Sequence, residues 1–105
     1  MITDILTAAG LPYRQARYPD PPAATYAVYF DEVTADGPDG FNAVYTHDVT
    51  VELYELRQDA EAEAAIEAAL DAQGIHWAKQ ARYWLQSAQR YQVIYSFDYI
   101  EKRRI

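Results

Sequence analysis

The C-terminal third of the chain has the clearest alternation of apolar and polar positions. In "YQVIYSFDYI" an aromatic or aliphatic side chain occupies every second position, and most positions between them are polar. Alternate residues of an extended strand point to opposite faces of a sheet. The pattern therefore predicts a strand with one apolar face, and Tyr95 and Phe97 are expected at the centre of the sheet. The residues of this face are Tyr91, Val93, Tyr95, Phe97 and Tyr99.

Two earlier segments also show strand patterns. Residues 25–33 place Tyr26, Val28 and Phe30 on one side, and residues 43–56 alternate apolar positions with Thr, Asp and Glu. The segment between them, "DEVTADGPDGFN", combines turn-forming Gly and Pro with four acidic residues. It is predicted to be an exposed acidic loop that joins two antiparallel strands.

Helical spacing occurs in two segments. Residues 2–9 form a short amphipathic pattern, with Thr3 as the expected cap and Gly10 as the stop. A longer helix is predicted from about residue 59 to residue 73, between a capping Asp59 and a terminating Gly74. Glu61, Glu67 and Asp71 of this helix are expected in water. Its apolar face is formed by Ala62, Ala65, Ile66, Ala69 and Leu70.

Residues 75–89 fit two kinds of structure. Trp77, Ala81 and Leu85 match a helical spacing and also a strand alternation that Lys79 interrupts. A strand is favoured because a helix has just ended at Gly74 and because the aromatic content suits a hairpin with the strand that follows. "QSAQ" is then its turn. Near the other end, the Pro-rich segment at residues 19–22 is predicted to be a linker within the domain.

The order of elements is helix, strand, strand, helix, strand, strand. This order predicts an α+β fold in which an antiparallel sheet of about four strands carries two helices on one face. The 105 residues are enough for one hydrophobic core of ordinary size. A single domain is expected over residues 1–105.

Composition excludes several classes of function. The formal net charge of −7 opposes binding to nucleic-acid backbones, which requires clustered Lys and Arg. The absence of Cys excludes disulfides and thiolate chemistry, and it fits a reducing compartment. No secretion signal or apolar run of bilayer length is visible, so the chain is expected to be soluble and not exported, with no membrane partner.

The sequence does not predict a metal site. His47 and His76 lie on different predicted elements and have no spaced His or Cys partner for zinc. Asp31, Asp36 and Asp39 lack the spacing of a calcium loop, and no bidentate Glu follows them. No metal and no cofactor are expected.

Catalytic motifs are not recognisable either. Ser87 and Ser96 are outside any nucleophile-elbow pattern, and Gly37 and Gly40 are separated by Pro and Asp, which would repel phosphate. The ten Tyr and two Trp residues could line a ligand pocket. Their alternation on strands favours a core or a subunit interface, so the chain is expected not to be an enzyme.

Three stretches together resemble small tail-terminator or tail-completion proteins from the head-to-tail joining region of siphophages and prophages of Gram-positive bacteria. They are "YAVYFDEVTADGPDGFNAVYTHDVTVELYE", "AEAAIEAAL" and "WAKQARYWLQSAQRYQVIYSFDYIEKR". The resemblance extends from about Tyr26 to the end of the chain and rests on the order and spacing of strand patterns and aromatic positions.

This resemblance implies a tail-terminator-like fold and a structural virion protein. Such a protein forms a ring, commonly a hexamer, at the head-proximal end of the tail. It ends the tail tube and joins it to the head connector, so the implied partners are copies of itself, the tail tube protein and the connector protein. DNA would pass through the ring without specific binding. The implied location is the virion tail or neck, after assembly in the host cytoplasm.

A repeating ring needs unlike surfaces on the two sides of each subunit. The sequence gathers acidic residues before the second strand and basic residues at the C-terminus, which suggests complementary contacts with a neighbouring subunit or ring. The alternative is a small acidic protein-binding module that acts as a monomer or dimer. The candidate interface residues are Asp31, Glu32, Asp36, Asp39, Lys102, Arg103 and Arg104.

Overall fold

The fold is built from two helices and six strands in a computed structural model that describes residues 1–37 and 42–104. The two longest strands, β3 and β6, lie side by side in antiparallel register over almost their whole length. The elements in chain order are α1 (Ile2–Ala9), β1 (Tyr13–Gln15), β2 (Tyr26–Asp36), β3 (Asn42–Glu55), α2 (Ala60–Ala72), β4 (Trp77–Lys79), β5 (Tyr83–Leu85) and β6 (Arg90–Arg104).

The six strands form one mixed sheet, and the prediction of a four-stranded antiparallel sheet is therefore wrong. β2, β3 and β6 are antiparallel neighbours, whereas β1 pairs with β2 in parallel. β1 has only three residues, too few for an alternation to be recognised in the sequence. The Pro-rich connection after β1 lets the chain return to the start of β2, so that the two strands run in the same direction.

The segment at residues 75–89 is extended, as favoured from the sequence, but it is divided into two strands. β4 and β5 both pair with β6, at Tyr95–Phe97 and at Arg90–Gln92 respectively. Between them Arg82 turns towards α2, which interrupts the ladder. The predicted turn at "QSAQ" is confirmed, with Ala88 N–H donating to Leu85 C=O over 3.2 Å.

Local signals explain where the helices begin and end. Asp59 caps α2, since its side chain accepts a hydrogen bond from Ala62 N–H at 3.0 Å. Gly74 adopts φ 68°, and the Ile75 N–H donates to Leu70 C=O, which forms a Schellman ending. Gly10 ends α1 in the left-handed region, as predicted. The expected cap of α1 is wrong, because the N-cap position is Met1 and Thr3 lies inside the helix.

Both helices pack on the same face of the sheet, and the core lies between them and the central strands. Its members are largely aliphatic and are supplied by strands β2, β3 and β6 and by one face of each helix. Burial of each large aliphatic side chain stabilises the fold by about 1.5–3 kcal/mol. The buried cluster contains Ile2, Ile5, Leu6, Ala27, Val49, Val51, Leu53, Ile66, Leu70, Val93, Tyr95 and Phe97.

The Pro-rich segment is fixed to the sheet by polar contacts. Arg90 donates to the carbonyl oxygens of Ala23 and Pro22 at 2.9 and 3.1 Å, and its guanidinium lies over the ring of Tyr26. Tyr26 also stacks on Tyr54, with 5.1 Å between ring centroids. These aromatic side chains therefore pack against one another and against an arginine, as in a structural cluster.

Candidate functional site

The central strands extend beyond the buried core as a three-stranded arm. The arm consists of residues 31–36 of β2, 42–48 of β3 and 98–104 of β6. The buried core cluster ends next to it at Val49 and Phe97, and Tyr99 of the arm packs against that cluster. The molecule is accordingly elongated, with extents of 49, 27 and 22 Å. Because the arm carries little aliphatic burial, polar contacts must hold its strands in place.

His47 forms the main polar contact on the arm. Its Nδ1 lies 2.9 and 3.0 Å from the two carboxylate oxygens of Asp31 on β2, and its Nε2 lies 3.0 Å from Glu101 Oε1 on β6. The ring stacks on Tyr99, with centroids 4.4 Å apart and planes 8° apart. Each ring nitrogen therefore lies within hydrogen-bond distance of a carboxylate on a neighbouring strand.

This cluster of Asp31, His47 and Glu101 links all three strands of the arm. The alternation of β3 places His47 on the helix-bearing face, directly opposite Val33 and Tyr99. Burial of Tyr99 raises the pKa of its hydroxyl, and the nearby charges of Asp31 and Glu101 raise it further. The two carboxylates contact opposite nitrogens of one ring and therefore cannot converge on a single metal ion.

The opposite face of the arm carries a row of three acidic residues. Glu32, Asp48 and Asp98 are directly paired across β2, β3 and β6, and all three are exposed. Like charges at directly opposite positions destabilise a sheet by a few tenths of a kcal/mol, up to about 1 kcal/mol. The row therefore lowers the stability of the arm without any compensating burial.

The predicted acidic loop is wrong for most of its length. Asp31, Glu32 and Asp36 are strand residues of β2, paired in continuous register with β3. β2 continues to Asp36 and β3 begins at Asn42, and Asp39 lies outside the described residues. The charged residues before the turn alternate with Val33 and Ala35, a pattern that an exposed strand also shows.

The structure brings the acidic and basic candidates to the same end of the molecule. Asp36 pairs with Val44 on β3, and Val44 pairs with Lys102 on β6, so one row contains both charges. Arg103 and Arg104 continue β6 opposite Ala43 and Asn42. In contrast, Asp31 contacts His47, while Glu32 lies on the other face. The predicted interface residues are thus divided among three places. Asp36, Lys102, Arg103 and Arg104 lie at the far end of the arm, called the tip below. Asp31 belongs to the cluster with His47, and Glu32 belongs to the acidic row.

A second polar cluster lies under α2 and was not predicted from the sequence. Glu55, at the end of β3, is 0% exposed, and Glu63 on α2 is 4% exposed. Arg82 bridges them, with its Nη2 at 2.6 Å from Glu63 Oε2 and its Nε at 3.3 Å from Glu55 Oε1. Lys79 and Glu67 extend the cluster to the hydroxyl of Tyr95, which donates to Glu67 at 2.6 Å.

The two buried carboxyls have different proton affinities. Burial, followed by the hydrogen bond with Glu63, raises the pKa of Glu55 to about 7. Burial would also raise the pKa of Glu63, but hydrogen bonds with Glu55, Lys79 and Arg82 outweigh it and lower that pKa. Glu55 Oε2 has no hydrogen-bond partner among the described residues, which further favours the neutral form. Glu55 therefore holds the proton of the pair.

One signal for this cluster was present in the sequence. Glu63 occupies the same helical face as Ile66 and Leu70, at i, i+3 and i+7, so its side chain had to be buried. Glu67 was expected in water, but it contacts both Lys79 and Tyr95. The positions of Lys79 and Arg82 depend on the path of β4 and β5 and could not be read from periodicity.

Within residues 1–37 and 42–104, no group of three or more His, Asp or Glu side chains is arranged to hold a metal ion. In the same part of the chain, no helix is long and apolar enough to cross a membrane.

No known family model matches the sequence, and no curated protein matches it. Among solved structures, the fold is similar to a chain in the virion of a native gene transfer agent particle. The two share 19% sequence identity and a TM-score of 0.58, and the match covers 90% of this chain and 81% of the other. At this identity the likeness establishes a shared fold.

Proposed function

We propose that this chain is a structural virion protein that forms a ring at the head-proximal end of a phage tail, where it ends the tail tube and joins it to the head connector. In this role it is not an enzyme and needs no cofactor or metal. Its partners are further copies of itself, six in the commonest arrangement, together with the tail tube protein and the connector protein. It is assembled in the host cytoplasm and remains in the tail or neck of the particle.

The observation that carries the proposal is the likeness of fold, over 90% of the chain, to a chain of a virion. The resemblance of the strand and aromatic patterns to tail-completion proteins points to the same class of assembly. An elongated sheet with a polar arm also suits a subunit that must contact neighbours on two sides.

The test of the proposal is the state of assembly. Purified protein is analysed by light scattering after size exclusion and by negative-stain imaging, and immunogold labelling locates it on particles. Closed rings in solution, or label at the junction of head and tail, support the proposal. A monomer or dimer that never labels particles would support the alternative, a small acidic binding module.

Charge complementarity between neighbours is part of the proposal. Asp36 and Lys102 lie two strand spacings apart in one chain, about 10 Å. We expect the acidic residues at the tip of one subunit to lie near the basic end of its neighbour or of the adjoining ring. Exposed charge pairs stabilise by about 0–1 kcal/mol each, so their role is the choice of register and partner.

Charge reversal tests this contact. Asp36→Lys with Asp39→Lys should impair assembly, and adding Arg103→Glu with Arg104→Glu should partly restore it. Because both groups lie at one tip, the two double variants are also mixed as separate chains, so that restoration in the mixture reports contacts between subunits. Glu61→Lys with Asp20→Lys, at exposed positions away from the tip, is the control for a change in net charge. Normal assembly of the first double variant would contradict the contact.

The channel of such a ring must let DNA pass without retaining it. A net charge of −7 and the exposed row of Glu32, Asp48 and Asp98 make tight binding to phosphate unfavourable. We expect no salt-sensitive binding of the purified protein to duplex DNA in a mobility-shift or fluorescence-anisotropy assay. Tight binding that weakens with added salt would contradict this part of the proposal.

A further inference from the structure

The two outer strands of the arm have open edges. Among the described residues, β1 pairs with β2 only at residues 27–29, and the strands beside β6 pair with it only as far as Phe97. Beyond these points β2 and β6 each continue to the tip with β3 as their one neighbour. Long strand edges of this kind pair readily with another chain unless they are blocked.

The hydrogen bonds nearer the core show which residues of β2 and β6 point their backbone N–H and C=O groups away from β3. Ala27 N–H donates to Pro12 C=O, and Tyr29 C=O accepts from Ala16 N–H, so the odd-numbered residues of β2 point their backbone groups outwards. Ile94 C=O accepts from Gln80 N–H, so on β6 the even-numbered residues point outwards. On the arm, the outward backbone groups therefore belong to Asp31, Val33 and Ala35 on β2 and to Asp98, Ile100 and Lys102 on β6.

We propose that the β6 edge of the arm in one copy of this chain pairs in parallel with the β2 edge of the arm in the next copy. This inference rests on the ring proposed above and names the surface through which the ring is built. β2 and β6 both run towards the tip because each is antiparallel to β3. A neighbour placed side by side with the same orientation therefore offers a parallel partner, and the arms join into one continuous sheet.

Backbone geometry agrees with this pairing, and charge favours it at the tip. Thr34, Thr46 and Ile100 lie in one row across the sheet. If the rows of neighbouring copies are aligned, Ile100 lies opposite Thr34 of the next copy. Its outward N–H and C=O then meet the outward C=O of Val33 and N–H of Ala35. Lys102 then lies opposite Asp36, a favourable cross-strand charge pair, whereas Asp98 lies opposite Glu32, an unfavourable one nearer the core. Each copy has both of its edges covered, and the contact is heterologous, as a closed ring requires.

Pairing β2 with β2, or β6 with β6, of a second copy is less favourable. Two β2 edges would place Asp31, Glu32 and Asp36 against the same residues of a second copy, which like-charge repulsion opposes. Two β6 edges paired antiparallel about Glu101 would set the two copies of Glu101 directly opposite each other, and both β2 edges of the dimer would remain open. The parallel arrangement is the one that uses both edges and separates like charges at the tip.

Cysteine cross-linking distinguishes the three arrangements, since the natural chain contains no Cys. Thr34→Cys and Ile100→Cys are made as separate single variants. Both are exposed positions, and within one chain they are separated by Thr46, about 10 Å apart, which is beyond the reach of a disulfide. Each variant is oxidised with copper phenanthroline alone and in an equal mixture, and the products are separated without reducing agent. Ala64→Cys on the exposed side of α2, mixed with Ile100→Cys, is the control.

A dimer that forms only in the Thr34→Cys and Ile100→Cys mixture supports the proposal. A chain carrying both substitutions should then give a ladder of oligomers. A dimer of Ile100→Cys or of Thr34→Cys alone, in place of the mixed product, would overturn it in favour of the corresponding self-pairing. Rings seen by negative stain without the mixed cross-link would overturn the edge contact but leave the proposed function intact. A chain that stays monomeric and gives no cross-link would overturn the edge contact, and the labelling of particles would then decide the proposed function separately.

Discussion

The helix-covered half of the sheet and the arm are made from the same three long strands but are stabilised in different ways. In the covered half, aliphatic and aromatic side chains such as Val51, Val93 and Tyr95 are fully buried under the helices. On the arm, the same face carries Asp31, His47 and Glu101, joined by hydrogen bonds across the strands. The alternation of residues is continuous through both halves.

Strand pairing and core formation are therefore separate properties of this sequence. The buried hydrophobic cluster ends at Val49 and Phe97, with Tyr99 packed against it, yet β3 and β6 remain paired as far as Asn42 and Arg104. A pairing without a core has marginal stability alone, so further strands or a partner are needed to support it. The covered half therefore provides most of the stability of the fold, and the arm carries the open edges through which we propose assembly.

The largest expected effect is a loss of stability in the covered half. Phe97 is 6% exposed within the core cluster, and Phe97→Ala should lower the free energy of unfolding by roughly 3–5 kcal/mol by leaving a cavity. Ile100, three residues further along the same strand, is 63% exposed, and Ile100→Ala should change it by no more than about 0.5 kcal/mol. Urea denaturation of both variants measures the difference, and equal midpoints would show that the inward face of β6 is misassigned.

The buried polar cluster should give the next largest effect. Arg82→Ala leaves Glu63 buried without its closest cationic partner, and we expect a loss of roughly 2–4 kcal/mol in the free energy of unfolding. Arg57→Ala, at an exposed position after β3, is the matched control and should stay within about 0.5 kcal/mol. Thermal or urea unfolding measures both. A loss no larger than that of the control would mean that Arg82 does not neutralise Glu63.

A smaller effect is expected from the proton on Glu55. Because the pKa of Glu55 is raised from 4.5 to about 7, the folded chain binds more protons than the unfolded chain between these pH values. The contribution of Glu55 to stability is complete below about pH 4.5 and is lost as the pH rises to 7, by at most about 3 kcal/mol. Glu55→Gln, which mimics the neutral carboxyl, should remove this dependence.

The measurement is the free energy of unfolding of wild type and Glu55→Gln at pH 5 and pH 8. The advantage of the variant should be greater at pH 8 than at pH 5. Parallel pH profiles for the two proteins would show that Glu55 is not the protonated member of the pair.

The smallest effect on global stability is expected on the arm. His47→Phe preserves a ring that can stack on Tyr99 but removes the contacts of the two ring nitrogens with Asp31 and Glu101. It should lower the free energy of unfolding by about 1–2 kcal/mol. Hydrogen exchange should show faster exchange in residues 31–36 and 98–102, with Val51 and Val93 unchanged. Asp48→Asn, on the opposite face, is the control. Uniformly faster exchange throughout the core would mean that the arm and the covered half are one cooperative unit.

Much of the secondary structure was determined by the sequence alone. Asp59 and Gly74 bracket α2, Gly10 ends α1, and the alternation of β3 and β6 places Val93, Tyr95 and Phe97 on the buried face. These features depend on local backbone chemistry and on periodicity, which any segment carries by itself. They do not depend on which strands become neighbours.

The tertiary structure decided the rest, because it depends on pairings between segments distant in the chain. A three-residue strand such as β1 is defined only by its hydrogen bonds to a neighbour, because three residues are too few to show an alternation in the sequence. The pattern "DEVTAD" could be a loop or an edge strand until β3 lay beside it. Only folding brought Asp31, His47 and Glu101 together, and only folding placed Asp36 and Lys102 at one tip, since register between strands fixes which side chains meet.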